Sequence, residues 1–344
     1  MKILLINLMY IGDLLFSTPL IHSLKSVNPD NTIDIIIDEK YLEIVKFNPY
    51  LNSVIPINRS SFSNNPKRNL QFIAKIRKER YDLALNLHYN ERTTMFTAFS
   101  GAKIRTGFAK SGPYSLFYNK RIKVNPNQHK ADEYLEILNH LGFEPIPNIG
   151  LEMFVDERSQ AEADLMWTSA GLQSKNGIIG INAGGNWQTK RWPEANFAQL
   201  VTQLDKEGLT PVFFGGPMDK PYVTNILQQT SVQPVVFTGK ISLLHLAAMI
   251  KKCDVFISGD SGPMHIAASQ QTPIVAIYGP TDPQFFGPYK VKHQIVKNEL
   301  PCSGCNRKTC VRHACMKSII PEQVLKATIQ LLQSNHDELI KKLG

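Results

Sequence analysis

No run of eighteen apolar residues occurs in the 344-residue sequence, so no segment is expected to cross a bilayer as a helix. A signal peptide is missing too. The apolar start Ile3-Leu4-Leu5-Ile6-Asn7-Leu8 gives way to Gly12-Asp13 without a small-residue cleavage site, which reads as a first β-strand of a cytosolic protein. That strand is not followed by Gly-x-Gly-x-x-Gly, since the turn reads Tyr10-Ile11-Gly12-Asp13, and the P-loop pattern occurs nowhere. These two absences speak against a nicotinamide-dependent dehydrogenase and against a P-loop ATPase. There is no low-complexity segment and no fixed-period repeat. Cysteine is scarce, with four of the five residues packed into Cys302-x2-Cys305-x4-Cys310-x4-Cys315. In a cytosolic chain that cluster reads as thiols or a metal site rather than a disulfide framework. It only partly matches structural zinc, which pairs two short Cys-x2-Cys knuckles, so thiols in an irregular loop are the preferred reading. Acidic residues are the minority charge, 29 against 38 Lys and Arg, for a net +9. Such an excess suits an acidic small molecule, an anionic membrane surface or nucleic acid, and does not choose among them.

What is present is a repeating βα alternation. Strands are expected at Lys2–Leu8, Thr32–Ile37, Val54–Ile57, Tyr81–Leu87 and Lys103–Gly107, with helices between them and a last helix from Lys130 to Leu141 stopped by Gly142. Pro145-Ile146-Pro147-Asn148-Ile149-Gly150 is the best linker candidate. Beyond it the alternation restarts at Gly177–Asn182 and continues through Thr210–Phe214, Pro234–Phe237, Val255–Ile257 and Pro273–Tyr278. The length also suits two domains of about 150 residues each. The expected organisation is α/β: an N-terminal doubly wound domain over 1–150, a second over 151–320, and a C-terminal helix over 321–344 that folds back across the junction. Two such domains facing each other would form a cleft lined by strand carboxyl ends.

Several loops at those carboxyl ends could carry chemistry. The stretch Val255-Phe256-Ile257-Ser258-Gly259-Asp260-Ser261-Gly262-Pro263-Met264-His265 reads as strand, glycine turn and helix start. Its free helix N–H groups suit an anion, and Asp260 or Ser261 could equally serve as a simple cap. His265 by itself reads as a packed histidine. Asp13, at the first βα turn, could be a general base or the N-cap of a helix starting at Leu14. The run Asn182-Ala183-Gly184-Gly185-Asn186-Trp187-Gln188-Thr189-Lys190-Arg191-Trp192-Pro193 offers amides and two cations for a diphosphate, or a solvated loop. Asp219 in Phe214-Gly215-Gly216-Pro217-Met218-Asp219 suits ribose hydroxyls or a turn cap.

Taken in order, four motifs along the chain resemble the bacterial lipopolysaccharide heptosyltransferases of glycosyltransferase family 9. They are Gly12-Asp13 with Thr18-Pro19, Lys190-Arg191-Trp192-Pro193, Asp260-Ser261-Gly262-Pro263-Met264-His265, and Tyr278-Gly279-Pro280-Thr281-Asp282-Pro283. The Cys302–Met316 region is similar to the branch containing the second and third heptosyltransferases. The resemblance implies a GT-B fold, an ADP-heptose donor held by the C-terminal domain and a lipid A-core glycolipid acceptor held by the N-terminal one. It implies an inverting reaction without a cofactor or metal, in the cytoplasm at the anionic inner-membrane surface, with no nucleic acid partner. Under it Asp13 is the catalytic base and Lys190 holds the donor phosphates with the amides of Ser261 and Gly262. Asp260 meets heptose hydroxyls, Asp219 the ribose, and Ile241 the adenine, with His265 also in the donor site. Gly185 and Asn186 stand where the family has threonines. On the acceptor side Arg59, Lys67, Arg68, Arg92 and Lys130 are the basic candidates for sugar phosphates or carboxylates. A non-catalytic sugar-nucleotide-binding protein and a GT-B nucleotide-sugar epimerase are the rival readings.

Overall fold

The computed structural model describes every residue except 63, 64, 89, 109–112, 124, 126, 145, 146 and 344, so Pro145 and Ile146 of the expected linker lie outside the described residues. The chain divides into two compact units, Met1–Phe154 and Val155–Gly344.

In the first unit β1 (Lys2–Asn7), β2 (Thr32–Asp38), β3 (Ser53–Ile57), β4 (Leu83–Asn86), β5 (Ile104–Phe108) and β6 (Lys120–Ile122) form one sheet in the order β3-β2-β1-β4-β5-β6. All neighbouring pairs are parallel. The central strands β1 and β2 are buried and carry the apolar runs Ile3–Ile6 and Ile35–Ile37, as suits strands covered by helices on both faces. The reading anticipated five of these strands. It did not anticipate β6, a three-residue edge strand with two exposed residues and too little apolar pattern to register.

One expected helix is two. A break at Ser17 separates Ile11–Phe16 from Thr18–Val27, with Pro19 in the first turn of the second. Because the first helix begins at Ile11, Asp13 lies inside its first turn and is not the N-cap of a helix starting at Leu14; Tyr10 occupies that position. The helix Lys130–Leu141 ends as expected at Gly142, whose left-handed φ of 83° closes the turn.

The second unit repeats the plan with β7 (Ile178–Asn182), β8 (Thr210–Phe214), β9 (Val235–Val236), β10 (Val255–Gly259), β11 (Ile274–Ile277) and β12 (His293–Val296) in the order β12-β11-β10-β7-β8-β9. These pairs are also all parallel. Counted within its own unit, each sheet has the same strand order. The chain reverses its direction of sheet building between β1 and β4 in one unit and between β7 and β10 in the other. Ligands of open α/β sheets sit at the carboxyl ends of the strands flanking that reversal. The last helix runs Pro321–Leu343, and its apolar residues Val324, Ala327 and Leu331 are buried in the core of this second unit. Among the described residues no helix is long and apolar enough to cross a membrane.

Candidate functional site

In the second unit the loops after β7 and β10 meet at the reversal point. Gly180 lets the strands close up, since a β-carbon there would lie 2.6 Å from the Phe256 ring. Lys190, from the loop after β7, places its ammonium 2.6 Å from Asp260 Oδ2 in the turn after β10 and 4.5 Å from the centre of the Trp187 ring. Both partners of this pair are mostly buried. The expected side-chain cap of the helix Gly262–Ser269 is absent: Ser261 holds the N-cap position without capping. Its hydroxyl donates instead to Asn182 Oδ1 at 3.1 Å and contacts Ser258 Oγ at 2.9 Å, while Asn182 Nδ2 donates to the Phe214 carbonyl. The hydroxyl goes sideways because a buried polar side chain at the end of β7 is there to receive it. The first N–H groups of the helix are thereby left to whatever lies in front of them. Asn182, which joins the loops after β7, β8 and β10, was not singled out from the sequence; a polar residue closing an otherwise apolar buried strand was the available signal.

Asp219 accepts the Gly216 N–H at 2.9 Å, closing the turn after β8, and its other oxygen lies 4.0 Å from Arg191 Nη2. Gly184 runs directly beneath it, so that a β-carbon at 184 would fall 2.2 Å from the carboxylate. The turn-cap role is thus observed, with the carboxylate set among glycine backbones at the sheet's carboxyl edge. Ile241 is part-exposed just ahead of the helix Leu243–Ile250. His265 is buried within Gly262–Ser269. Tyr278 is buried at the end of β11 and donates to the Phe286 carbonyl at 2.7 Å; burial pushes its hydroxyl pKa well up, and Asp260 and Asp282 push it further.

The cysteine-rich segment braces these loops. The Arg307 carbonyl accepts from Thr189 Oγ1 at 2.8 Å, His313 Nε2 lies 2.7 Å from the Thr189 carbonyl, and the Asn306 N–H donates to the Pro280 carbonyl. Cys315 and Met316 pack against Gly279. Cys302, Cys305 and Cys310 are exposed, and all four are free thiols. Among the described residues no three His, Cys, Asp or Glu side chains are placed to hold a metal ion.

In the first unit Asp13 follows β1 and His88 follows β4, the two strands at the reversal point. Three of the basic candidates gather here. Arg59, Arg92 and Lys130 are all close enough to His88 to disfavour its protonation. Arg92 Nη1 donates to the Arg59 carbonyl at 3.2 Å, and Arg59 Nε stands 3.7 Å from Asp38 Oδ2. Lys130 is buried against the Phe108 and Tyr134 rings, with Glu133 Oε1 at 2.7 Å. Burial lowers its pKa, while Glu133 and, more weakly, Asp13 oppose that shift. Asp13 therefore faces the edge of a cationic cluster. Lys67 and Arg68 stand exposed at the start of the helix Pro66–Lys78. His88 itself escaped the reading, since one histidine after a short strand carries little signal.

Burial, first, and then the three cations depress the His88 pKa to about 4. Its ring is neutral near pH 7 and can accept from Asn90 Nδ2, 3.1 Å from Nδ1. The folded value lies below the unfolded one, so stability is full above about pH 6.5 and declines as the pH falls toward 4, where the unfolded chain gains the proton first. His88→Asn is expected to remove roughly 3 kcal/mol of that decline between pH 7 and 4. Urea unfolding at a series of pH values checks this; an unchanged pH slope in the variant would remove His88 as the cause.

Two six-stranded parallel sheets, each with polar, glycine-rich or cationic loops at its reversal point, define the GT-B class of glycosyltransferase folds. A solved E. coli ADP-heptose lipopolysaccharide heptosyltransferase II shares the fold, with a TM-score of 0.80 at 24% identity, covering 98% of this chain and 100% of that one. The family model for glycosyltransferase family 9 (heptosyltransferase) matches residues 69–315, and the chain belongs to that family. The solved glycosyl transferase family 9 protein of Veillonella parvula is 32% identical, covers 97% of each chain and superimposes with a TM-score of 0.86. Among curated proteins, lipopolysaccharide heptosyltransferase 2 of Salmonella typhimurium is 26% identical over 96% of this chain and 99% of its own length.

Proposed function

We propose that this chain transfers L-glycero-D-manno-heptose from ADP-heptose to a sugar of the lipopolysaccharide inner core, with inversion at the anomeric carbon. The observation that carries the proposal is the pairing of chemistries at equivalent places in the two sheets. One reversal point bears a carboxylate beside a cationic cluster; the other bears a lysine, a second carboxylate and the start of a helix. In this reading Asp13 takes the proton from the acceptor hydroxyl, whose oxygen forms a bond to the anomeric carbon while the bond from that carbon to the diphosphate oxygen breaks. ADP departs with the electron pair. Charge on the leaving diphosphate grows toward the transition state, so Lys190 and the amides of Ser261 and Gly262 stabilise that state more than the bound donor. Asp260 accepts from the heptose hydroxyls, Asp219 from the ribose, and Ile241 covers the adenine. Arg59, Arg92 and Lys130 receive carboxylates or phosphates of the acceptor, with the neutral His88 among them as a hydrogen-bonding partner. The enzyme works in the cytoplasm, peripheral to the inner membrane that carries its acceptor.

The test is incubation of the purified enzyme with ADP-heptose and defined truncated core acceptors, followed by mass spectrometry and determination of the new anomeric configuration. One heptosyl addition with inversion is expected, with ADP released in equal amount. Donor turnover without acceptor would point to an epimerase, and donor binding without any turnover to a non-catalytic protein. A retained configuration would reject single displacement.

A further inference from the structure

The charge excess of this protein is not spread along the chain. Residues 66–123 hold thirteen Lys and Arg against three Asp and Glu, a net +10, so the rest of the sequence is close to neutral. Much of that charge stands on a surface of the first unit remote in sequence from both Asp13 and Lys190. The helix Pro66–Lys78 buries Ile73 and Ile76, exposes Lys67, Arg68, Lys75, Arg77 and Lys78, and has no acidic residue. Leu70 is also exposed there, at 67%. At its far end Arg77 packs against Gly101, which lies two residues after Phe99. The Phe99 ring lies tilted at 5.5 Å from that of Phe117 in the short turn Pro113–Phe117, where Leu116 and Phe117 are 69% and 50% exposed.

That turn is held out by cations. Arg105 Nε donates to the Phe117 carbonyl at 3.1 Å and Arg121 Nη2 reaches the Leu116 carbonyl at 3.5 Å, so two guanidiniums grip the backbone of the two residues whose side chains face water. Lys120, Arg121 and Lys123 are exposed immediately after it. Of the acidic residues nearby, Glu79 is paired with Lys2 and Asp82 with Lys103. Glu91 stands exposed in the first turn of the helix Glu91–Ala98.

We infer that this surface, from the basic face of Pro66–Lys78 to Leu116, Phe117 and Lys120–Lys123, docks on an anionic lipid bilayer. Lysines and arginines supply the long-range attraction to acidic headgroups, and the exposed leucines and phenylalanines enter the boundary between headgroups and acyl chains. Water-exposed Leu116 and Phe117 favour a bilayer over nucleic acid, whose phosphate backbone offers them no apolar partner. The helix Glu91–Ala98 links this surface to the acceptor cluster, with Arg92 in its first turn and Phe99 just past its last. Seven residues at 1.5 Å each separate them by about 10 Å along the axis. A sugar chain rising from the lipid surface has a short way to go. The inference rests on the reading of a membrane-anchored acceptor.

Flotation of the full-length protein tests it. Vesicles of phosphatidylglycerol and phosphatidylethanolamine are expected to carry the wild type upward at low salt, and phosphatidylcholine vesicles are not. Lys75→Glu/Lys78→Glu and Leu116→Ser/Phe117→Ser should each lower the partition coefficient at least about ten-fold. Both should keep ADP release on a detergent-dispersed acceptor. Wild type that stays at the bottom with anionic vesicles, or variants that float like wild type, would overturn the inference. So would binding of a duplex oligonucleotide that both variants lose while no vesicle binding occurs. Sedimentation showing a dimer that Leu116→Ser/Phe117→Ser dissociates, with flotation unchanged, would reassign the surface to self-association. Vesicle binding is measured without donor or acceptor, so intact flotation with no heptosyl product would sink the transfer reading alone.

Discussion

Asp13→Ala is expected to lower kcat by about 10²–10⁴-fold, the range for losing a positioned general base. The loss should fall on turnover rather than on substrate binding, because the proton moves only as the acceptor oxygen attacks. Folding should survive. Asp13 lies in the first turn of Ile11–Phe16, where its backbone carbonyl accepts from Asn7 Nδ2, a bond the alanine keeps. The nearby buried Lys130 retains Glu133 at 2.7 Å when the Asp13 charge is gone. Asp13→Asn, which preserves shape but not basicity, should be nearly as inactive as Asp13→Ala. Steady-state kinetics with both substrates varied decides the matter: a correctly folded Asp13→Ala enzyme with turnover near wild type would remove the base assignment.

Lys190→Ala should reduce kcat/KM for the donor by about 10²–10³-fold, comparable to removing one oxyanion-type donor. Here a second effect has to be separated from the first. Lys190 is paired with Asp260 at 2.6 Å, so the alanine also leaves a mostly buried carboxylate without its cation. That costs roughly 1–3 kcal/mol of stability, below the figure for a fully buried pair because both groups keep some solvent. The double variant Lys190→Ala/Asp260→Asn removes the stranded charge. Its thermal stability should return toward wild type while donor use stays low. If donor kinetics recovered together with stability, Lys190 would be a structural partner of Asp260 and not a phosphate ligand.

The same pair shows where sequence reading stops. The apolar runs that became β1, β2, β7 and β10 announce themselves, because a strand covered on both faces has little freedom in composition. The glycine turns behind them were legible for a similar reason. Two of the four edge strands were not: β6 and β12 are short and half exposed, so alternation is too brief to separate from loop. Strand order is set by crossovers, which leave no local trace, and it is strand order that puts Asp13 and His88 after adjacent strands and makes Lys190 neighbour to Asp260. A separation of 70 positions hides the ion pair of the latter two completely. Ser261 is one of two candidate caps in the sequence; its hydroxyl instead meets Asn182, a tertiary contact that outweighs the local preference. The gathering of Arg59, Arg92 and Lys130 around His88 could not be sorted from charge alone.

The shared strand order of the two sheets has a consequence for how this protein can be altered. Each unit is a scaffold whose candidate site residues sit on the loops and helices that follow its strands. Those in the second unit, after β7, β8, β10 and β11, are also tied to one another through Asn182 and the segment from Arg307 to Met316. They therefore form an exchangeable cassette. Under the proposed donor assignment, recoding the sugar nucleotide calls for grafting these loops together with their brace, onto strands that need not change, and leaves the first unit untouched. Single-loop grafts would sever the bonds that hold the neighbouring loops in place.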